Sequence, residues 1–226
     1  AGLPMNDILV RAKGLTKAFG AVTAIAEATF EVAAGDQIAL VGPSGSGKST
    51  LLHLIAAIDR PTEGQIEWPA LGGQRDLRPG PVAIAFQGPS LLPPLTVAEN
   101  IGLPVLLAGG TEVEAAAAAE PLIERLGLSD IAAKLPEEIS GGQAQRAGLA
   151  RALAGQPRLI LADEPTGQLD STTADGLMTV LLEQVRATQA ALIVATHDTA
   201  VAGRLPLRWQ LIDRRMQTGA ELSCSS

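Results

Sequence analysis

A glycine-rich loop ending in Lys-Ser-Thr carries the most specific chemical signal in the chain. It comprises nine consecutive residues: Gly42, Pro43, Ser44, Gly45, Ser46, Gly47, Lys48, Ser49 and Thr50. They satisfy the pattern G-x-x-x-x-G-K-[ST], whose glycines allow successive backbone N–H groups to turn toward an anion. The loop follows an apolar stretch at 37–41 and precedes a predicted helix, whose positive end adds to the attraction. We therefore expect nucleotide binding, with Lys48 reaching the β- and γ-phosphates and Ser49 ligating Mg²⁺.

Two adjacent carboxylates, Asp163 and Glu164, follow another apolar stretch. Asp163 is suited to hold the magnesium ion of a bound nucleotide, through water or through Ser49. Glu164 is suited to polarise an attacking water as general base. A strand of any α/β protein can end in acidic residues, but here the pair accompanies a phosphate loop. The two motifs together favour hydrolysis of a nucleoside triphosphate.

A third motif precedes a predicted helix and consists of Ser140, Gly141, Gly142 and Gln143. Ser140 and Gln143 have the spacing of a capping box, which starts a helix by mutual hydrogen bonding. Two consecutive glycines weaken a helix, and a cap does not require them. They create a second place where a phosphate can approach bare backbone.

The elements that must position these motifs alternate between short apolar runs and helical segments, which is typical of an α/β fold with a largely parallel sheet. Strands are predicted at 8–15, 28–33, 37–41, 82–86, 158–162, 191–195 and 207–212, the first two as a small antiparallel piece. Helices are predicted at 49–58, 97–101, 111–126 and 141–154. We expect Pro121 to break or kink the third helix.

The stretch between 87 and 156 holds no convincing strand, so a helical insertion between two strands of the core is the simplest account. We predict a single domain over 1–226. Its parts are an α/β nucleotide-binding core at 6–87 and 158–219, a helical subdomain at 88–157 and a tail at 220–226.

In their order, these motifs resemble the ATP-binding subunit of an ATP-binding cassette (ABC) transporter. The phosphate loop, 140–143, 163–166 and 196–198 carry the resemblance, which covers nearly the whole chain. Ile139 stands where leucine is more common before the third motif. The resemblance implies a P-loop NTPase core with a helical insertion, hydrolysis of ATP coupled to transport, and ATP and Mg²⁺ as cofactors.

The resemblance also assigns roles to single residues. Gln87 is similar to the glutamine that contacts Mg²⁺ or the attacking water, although on its own it could be a solvated loop residue. His197 is similar to the histidine that contacts the γ-phosphate, whereas His53 matches no motif and is interpreted as structural. Phe19 occupies the place of the tyrosine that usually stacks on adenine. The segment 167–170 resembles a loop that touches the opposite subunit, although its Asp170 could simply cap a helix.

The same resemblance implies partners. Each ATP would lie between the phosphate loop of one copy and residues 140–143 of a second copy, in a head-to-tail homodimer. Integral membrane permease subunits would contact 88–110 and hold the protein at the cytoplasmic face of the cell membrane. Segments 91–101, 103–109 and 166–170 are similar to the branch that serves lipoprotein release, macrolide export and cell division. An importer ATPase is the alternative, and a non-transport cassette acting on nucleic acid or ribosomes is a further one.

The composition and the absence of certain motifs argue against several other classes of protein. A net charge of −7 argues against a protein that coats nucleic acid, and the single cysteine, Cys224, cannot form an internal disulfide. No apolar run approaches the roughly 20 residues of a spanning helix, and no secretory signal is readable at the N-terminus. Neither Asn6 nor Asn100 begins the Asn-Lys-x-Asp motif of GTPases, and a P-loop kinase would leave residues 140–143 without a role.

Overall fold

The computed structural model describes residues 7–74, 77–88 and 90–220, and within them the chain forms nine strands and six α-helices. The strands are β1 (Ile8–Phe19), β2 (Val22–Ala33), β3 (Gln37–Val41), β4 (Glu63–Glu67), β5 (Val82–Ala85), β6 (Leu159–Asp163), β7 (Ala191–Thr196), β8 (Leu207–Ile212) and β9 (Arg215–Ala220). The helices are α1 (Lys48–Ile55), α2 (Val97–Leu107), α3 (Glu112–Arg125), α4 (Gly141–Ala154), α5 (Ser171–Thr188) and α6 (Thr199–Ala202). Cys224 and residues 221–226 of the predicted tail lie outside the described residues.

The nine strands form one mixed sheet in the order β4-β1-β2-β9-β8-β3-β7-β6-β5. Strands β8, β3, β7, β6 and β5 are parallel neighbours, whereas β1 pairs antiparallel with β2 and β4, and β8 with β9. The register sets Val41 beside Thr196 and Asp163 beside Ala195. The carboxyl ends of β3, β7 and β6 therefore meet at one edge of the sheet, where ligands bind in open α/β sheets.

Both faces of β3, β6 and β7 are buried, which explains their nearly continuous apolar sequences. In β6, Leu159 and Leu161 pack in the cluster that contains α1, whereas Ile160 and Ala162 pack in the cluster that contains α4 and α5. Each fully buried leucine or isoleucine contributes about 1.5–3 kcal/mol of transfer free energy. The strand that ends in Asp163 is thereby held rigidly from both sides.

The antiparallel part is larger than the small piece predicted. Strands β1 and β2 are 12 residues each, and irregularities in their register interrupt the alternation that sequence reasoning depends on. Strands β4 and β9 were not predicted. β4 lies at the edge of the sheet and buries almost none of its side chains, so its sequence carries no apolar signal.

The helical region departs from the prediction at its prolines. Pro121 does not end α3, which continues to Arg125. The lost backbone hydrogen bond is offset because Ala115, Ala119 and Leu122 are buried and α3 packs against α2 and α4. Helix α2 likewise continues past Pro104, beyond the predicted end at 101.

Helix α1 ends at Ile55 and not at 58, because the chain leaves the helical conformation at Ala57, which has a φ of 53°. Between 90 and 157 the described residues form α2, α3, α4 and two short 3₁₀ turns at Ser129–Ile131 and Pro136–Glu138. The boundaries of the core and of the helical subdomain remain predictions. No helix among the described residues is long and apolar enough to cross a membrane.

Candidate active site

The phosphate loop connects β3 to α1, as its pattern predicts, and two of its glycines are required by close approaches. Gly47 has a φ of 106°, and a Cβ there would lie 2.5 Å from the carbonyl oxygen of Ala24. A Cβ on Gly42 would lie 2.5 Å from the carbonyl oxygen of Leu211. The loop is therefore pressed against β2 and β8, and only glycine permits this backbone path.

Lys48 is the first residue of α1 and is only 7% exposed. Its ammonium group donates hydrogen bonds to the carbonyl oxygens of Gly42, at 2.8 Å, and Pro43, at 3.1 Å. The charge is thus held inside the curve of the loop, where backbone N–H groups and a helix N-terminus already favour an anion.

The carboxylate pair lies at the end of β6, and both residues are buried. Glu164 adopts a left-handed backbone with a φ of 48°, which is unusual for a residue other than glycine. Its N–H donates to the carbonyl oxygen of Ala195 at 2.9 Å, and its own carbonyl accepts from the N–H of Gly167 at 3.1 Å. These bonds hold a conformation that costs about 1–3 kcal/mol and that recurs at functional sites.

His197 follows β7 and contacts Glu164 directly. Its Nδ1 lies 2.9 Å from Oε1 of Glu164, so that an N–H on Nδ1 donates to the carboxylate. The side chain of His197 is 73% exposed, whereas that of Glu164 is 10% exposed. A cavity of about 310 Å³ is lined by His197 together with Gly42 and Pro43 of the phosphate loop. Two predicted catalytic residues are therefore paired beside the start of the phosphate loop.

The metal site predicted at Ser49, Gln87 and Asp163 has an incomplete set of protein ligands. Among the described residues, no group of three or more His, Cys, Asp or Glu could hold a metal ion. Oδ1 of Asp163 is buried and has no hydrogen-bond partner within the part of the chain that the structure describes. Burial of a carboxylate oxygen costs free energy unless a cation or a hydrogen-bond donor lies next to it. The donors fit Mg²⁺ that arrives with the oxygens of a nucleotide, because Mg²⁺ is usually bound through one or two carboxylates and phosphates.

The third motif lies at the N-terminus of α4 and forms the predicted capping box. The N–H of Gln143 donates to Oγ of Ser140 at 3.3 Å, and Oε1 of Gln143 accepts from the N–H of Ser140 at 2.8 Å. A Cβ on Gly141 would lie 2.6 Å from Oε1 of Gln168, and one on Gly142 would lie 3.0 Å from Leu169. Part of the reason for these glycines is therefore packing against the turn after Glu164. Among the described residues, no hydrogen bond or ion pair joins this motif to the phosphate loop.

Phe19 and Gln87 are exposed, and their roles remain predictions. Phe19 is 54% exposed at the end of β1, in register with Val22, which is also exposed. The ammonium of Lys17 lies 4.8 Å from the centre of the Phe19 ring. The same ammonium donates a hydrogen bond to the carboxylate of Asp59, which lowers the pKa of Asp59. Gln87 lies just beyond the end of β5, the last strand of the sheet.

Asp170 caps α5, which was the alternative to a contact with the opposite subunit. Its carboxylate accepts from the N–H of Thr173 at 3.0 Å and from the Thr173 hydroxyl at 2.7 Å. These hydrogen bonds lower the pKa of Asp170. His53, interpreted as structural, lies with its ring centre 6.0 Å from that of Phe86.

The family of this fold is decided by comparison with known proteins. A family model described as ABC transporter matches residues 25–167, more than half of the chain. The chain belongs to the ABC transporter family. The lipoprotein-releasing system ATP-binding protein LolD of Legionella pneumophila is 39% identical, over 89% of this chain and 93% of that protein. The LolD protein of Cereibacter sphaeroides is 41% identical, over 89% and 95%.

A solved structure supports the same assignment. The dimeric post-hydrolysis state of the ATP-binding cassette MJ0796, bound to ADP and Pi, superposes with a TM-score of 0.86. It is 31% identical, over 95% of this chain and 99% of that one. The resemblance to an ABC ATP-binding subunit is thereby confirmed. The protein is an ABC cassette, an ATPase subunit of a transporter.

Sequence reasoning about this ABC cassette missed a buried glutamine in α4. Nε2 of Gln145 donates to the carbonyl oxygen of Glu164 at 2.7 Å, and its Oε1 accepts from the N–H of Gln168 at 3.1 Å. A signal was available, because Gln145 lies four residues before the buried Leu149 and therefore on an apolar stripe of the helix. A polar residue at such a position has a hydrogen-bonding role inside the protein.

Proposed function

We propose that this ABC cassette hydrolyses ATP within a head-to-tail homodimer and thereby drives lipoprotein release from a membrane through separate permease subunits. One observation in particular supports the dimer. Ser140 and Gly141, at the start of α4, are exposed, and among the described residues no hydrogen bond joins residues 140–143 to the phosphate loop of the same chain. A second copy, related by a twofold axis, brings each such helix end to the other copy's phosphate loop. The similar cassette of known structure is dimeric.

The site residues divide the chemistry of phosphoryl transfer to water. Lys48 and the loop N–H groups hold the β- and γ-phosphates, while Ser49, Asp163 and Gln87 are the residues that would hold Mg²⁺. When bound, Mg²⁺ neutralises charge on the β- and γ-phosphates. Glu164 accepts the proton of the water that attacks the γ-phosphorus. The bond to the β-phosphate oxygen breaks, giving ADP and phosphate.

His197 supports this step from two sides. Its Nδ1 orients the carboxylate of Glu164, from 2.9 Å, and its exposed ring can reach the γ-phosphate of a nucleotide on the adjoining loop. The helix end of Ser140 from the second copy adds positive potential at the same phosphate. Hydrolysis removes the shared γ-phosphoryl group, and the two copies separate.

A groove beside β5 is the proposed permease contact. It has a volume of about 460 Å³ and lies between β5, α2 and α4. Phe86, Leu92 and Leu107 line it and are exposed to solvent. Arg151 also lines it. Its guanidinium donates hydrogen bonds to the carbonyl oxygen of Ser90, at 2.7 Å, and to the Ser90 hydroxyl, at 2.6 Å, but among the described residues it has no acidic partner, and burial lowers its pKa. An apolar segment of the permease that carries a carboxylate matches this lining.

The cargo is proposed from the two LolD relatives, each aligned over nearly their whole length. We therefore also propose that the protein attaches to the membrane peripherally, through a permease, and we do not expect nucleic acid as a partner.

To test the cargo, the tagged chain is purified with its membrane partners and reconstituted into vesicles that hold a fluorescent triacylated lipopeptide. ATP should transfer the lipopeptide to a soluble acceptor. ATP-driven solute uptake, or purification with ribosomes or nucleic acid in place of a membrane protein, would contradict the proposal.

The general base is tested with Glu164→Gln. We expect ATP to bind with unchanged affinity, hydrolysis to fall by about 100-fold or more, and the dimer to persist in size-exclusion chromatography with ATP. Glu183→Gln, a change at an exposed glutamate of α5, is the matched control. A Glu164→Gln protein that stays monomeric with ATP and turns over normally would show that the base is another residue.

A further inference from the structure

Gln145 joins the helix of the third motif to the turn that carries Glu164. The side chain is 9% exposed, and both ends of its amide are used. The NH₂ group donates to the Glu164 carbonyl at 2.7 Å, and the oxygen accepts from the Gln168 N–H at 3.1 Å. These partners lie 19 and 23 residues away along the chain. A single side chain therefore clamps both ends of one short turn.

The clamped turn, residues 164–169, is tightly built. The N–H of Gly167 donates to the carbonyl of Glu164, and that of Leu169 donates to the carbonyl of Thr166. The left-handed φ of 48° at Glu164 orients its carboxylate relative to the end of β6. The carbonyl of Glu164 accepts from Gln145 and Gly167 together, so a shift of α4 acts directly on the peptide that follows the proposed base.

Residues of the third motif contact the same turn. Gly141 and Gly142 approach Gln168 and Leu169 so closely that a Cβ would lie 2.6 Å and 3.0 Å from their side chains. The N-terminal end of α4 therefore packs closely on this turn, through the ends of the Gln168 and Leu169 side chains. Gln145 supplies the polar part of this contact, and the glycines supply the close packing.

We propose that Gln145 is a positioning residue that couples the two ATP sites of the dimer. This inference rests on the proposed function. In such a dimer, the Ser140 end of α4 serves the nucleotide on the other copy, while Glu164 of the same chain serves its own nucleotide. Gln145 lies five residues after Ser140, about one and a half helical turns, and one hydrogen bond from Glu164. Contact between the start of α4 and the nucleotide of the other copy therefore sets the orientation of Glu164, the general base, at the chain's own nucleotide.

The test compares Gln145→Met with wild-type protein. Methionine keeps the length and volume of the side chain but removes both hydrogen bonds. We expect kcat for ATP hydrolysis to fall by about 10- to 100-fold, since small misplacements of a catalytic group have effects of this size. The affinity of the monomer for a fluorescent ATP analogue should stay within about threefold, because the phosphate loop is untouched. The Hill coefficient for ATP should fall toward 1.

Two further variants distinguish loss of the Gln145 hydrogen bonds from a general packing effect. Gln145→Glu retains an acceptor for the Gln168 N–H but places a carboxylate beside the Glu164 carbonyl, so it should lose kcat as well. Leu153→Val removes a methylene from the buried face of the same helix, away from the turn, and should lower Tm without changing kcat or the Hill coefficient. If Gln145→Met behaves as Leu153→Val does, Gln145 is only a packing residue and the inference is overturned.

Failure of the proposed function is distinguishable from this outcome. In that case wild-type protein would show no ATP-dependent dimer, or Glu164→Gln would hydrolyse ATP normally. If both of those expectations hold while Gln145→Met keeps wild-type kcat and cooperativity, only the role of Gln145 is wrong.

Discussion

The phosphate loop and the N-terminus of α4 use the same physical device in opposite surroundings. Both place glycines and free backbone N–H groups at the start of a helix, where the helix dipole favours an anion. The phosphate loop is built into the protein, with Lys48 buried and Gly47 pressed against Ala24. At Ser140 the helix start is exposed, and its capping hydrogen bonds are made within the motif itself.

This difference indicates which half of the ATP site is already formed in a single copy of the chain. The phosphate loop is held by β2, β3 and β8, so its anion-binding geometry exists in a single copy. The start of α4 packs on the turn after Glu164, and its first residues, Ser140 and Gly141, are exposed. Changes to the first region should abolish nucleotide binding, whereas changes to the second should spare binding and weaken the dimer.

Removal of the buried charge should have the largest effect. Lys48→Ala takes away the cation that neutralises the β- and γ-phosphates and removes the hydrogen bonds that its ammonium donates to the carbonyls of Gly42 and Pro43. We expect hydrolysis to fall by about 100-fold or more, together with a large loss of ATP affinity. Phosphate-release kinetics and isothermal titration measure both. Lys13→Ala, at an exposed lysine of β1, should behave as wild type, and equal losses in both variants would contradict the assignment.

The preformed character of the loop is tested with Gly47→Ala. The added Cβ meets the Ala24 carbonyl oxygen at 2.5 Å and the backbone has a φ of 106°, so we expect a loss of about 2–4 kcal/mol in the free energy of unfolding. Gly176→Ala is the control, because its Cβ would meet nothing within 4 Å in the interior of α5. It should stabilise the protein by about 0.5–1 kcal/mol in urea unfolding. Similar stabilities for the two variants would show that the loop adapts freely.

The exposed helix start is tested with a matched pair of capping variants. Ser140→Ala and Thr111→Ala each remove the cap of one capping box, at α4 and α3, and each should lower stability by about 1 kcal/mol. Only Ser140→Ala should weaken the ATP-dependent dimer of the Glu164→Gln protein in analytical ultracentrifugation. Equal dimerisation of the two variants would remove Ser140 from the interface.

The smallest effect is expected at the proposed adenine platform. Phe19→Ala removes an exposed ring and should raise the Kd for ATP by about tenfold, since base–aromatic stacking contributes about 1–3 kcal/mol. Phe19→Tyr keeps the ring and should bind ATP as wild type does. A Phe19→Ala protein with unchanged Kd would show that the base lies elsewhere, without affecting the comparison of the two helix ends.

Local patterns allowed much of the fold and site to be predicted. The phosphate loop, the carboxylate pair and the cap of α4 are each contained in a few consecutive residues, and each lies next to the predicted strand or helix. β4 and β9 escaped prediction because the side chains of β4 and those at 215–218 of β9 are mostly exposed, so neither segment shows an apolar period. The predicted break at Pro121 was wrong because the packing that compensates for this proline comes from α2 and α4, which a local pattern does not contain.

The amino-acid sequence alone determined where the backbone could bend around an anion, which residues carry the charges, and which family they indicate. Only the tertiary structure decided that His197 lies 2.9 Å from Glu164, 33 residues away, and that Gln145 clamps the turn that follows Glu164. The physical reason is that such contacts depend on the register of β6 against β7 and on the seating of α4 across the sheet. Both are set by burial on two faces of the sheet at once, and no single segment encodes them.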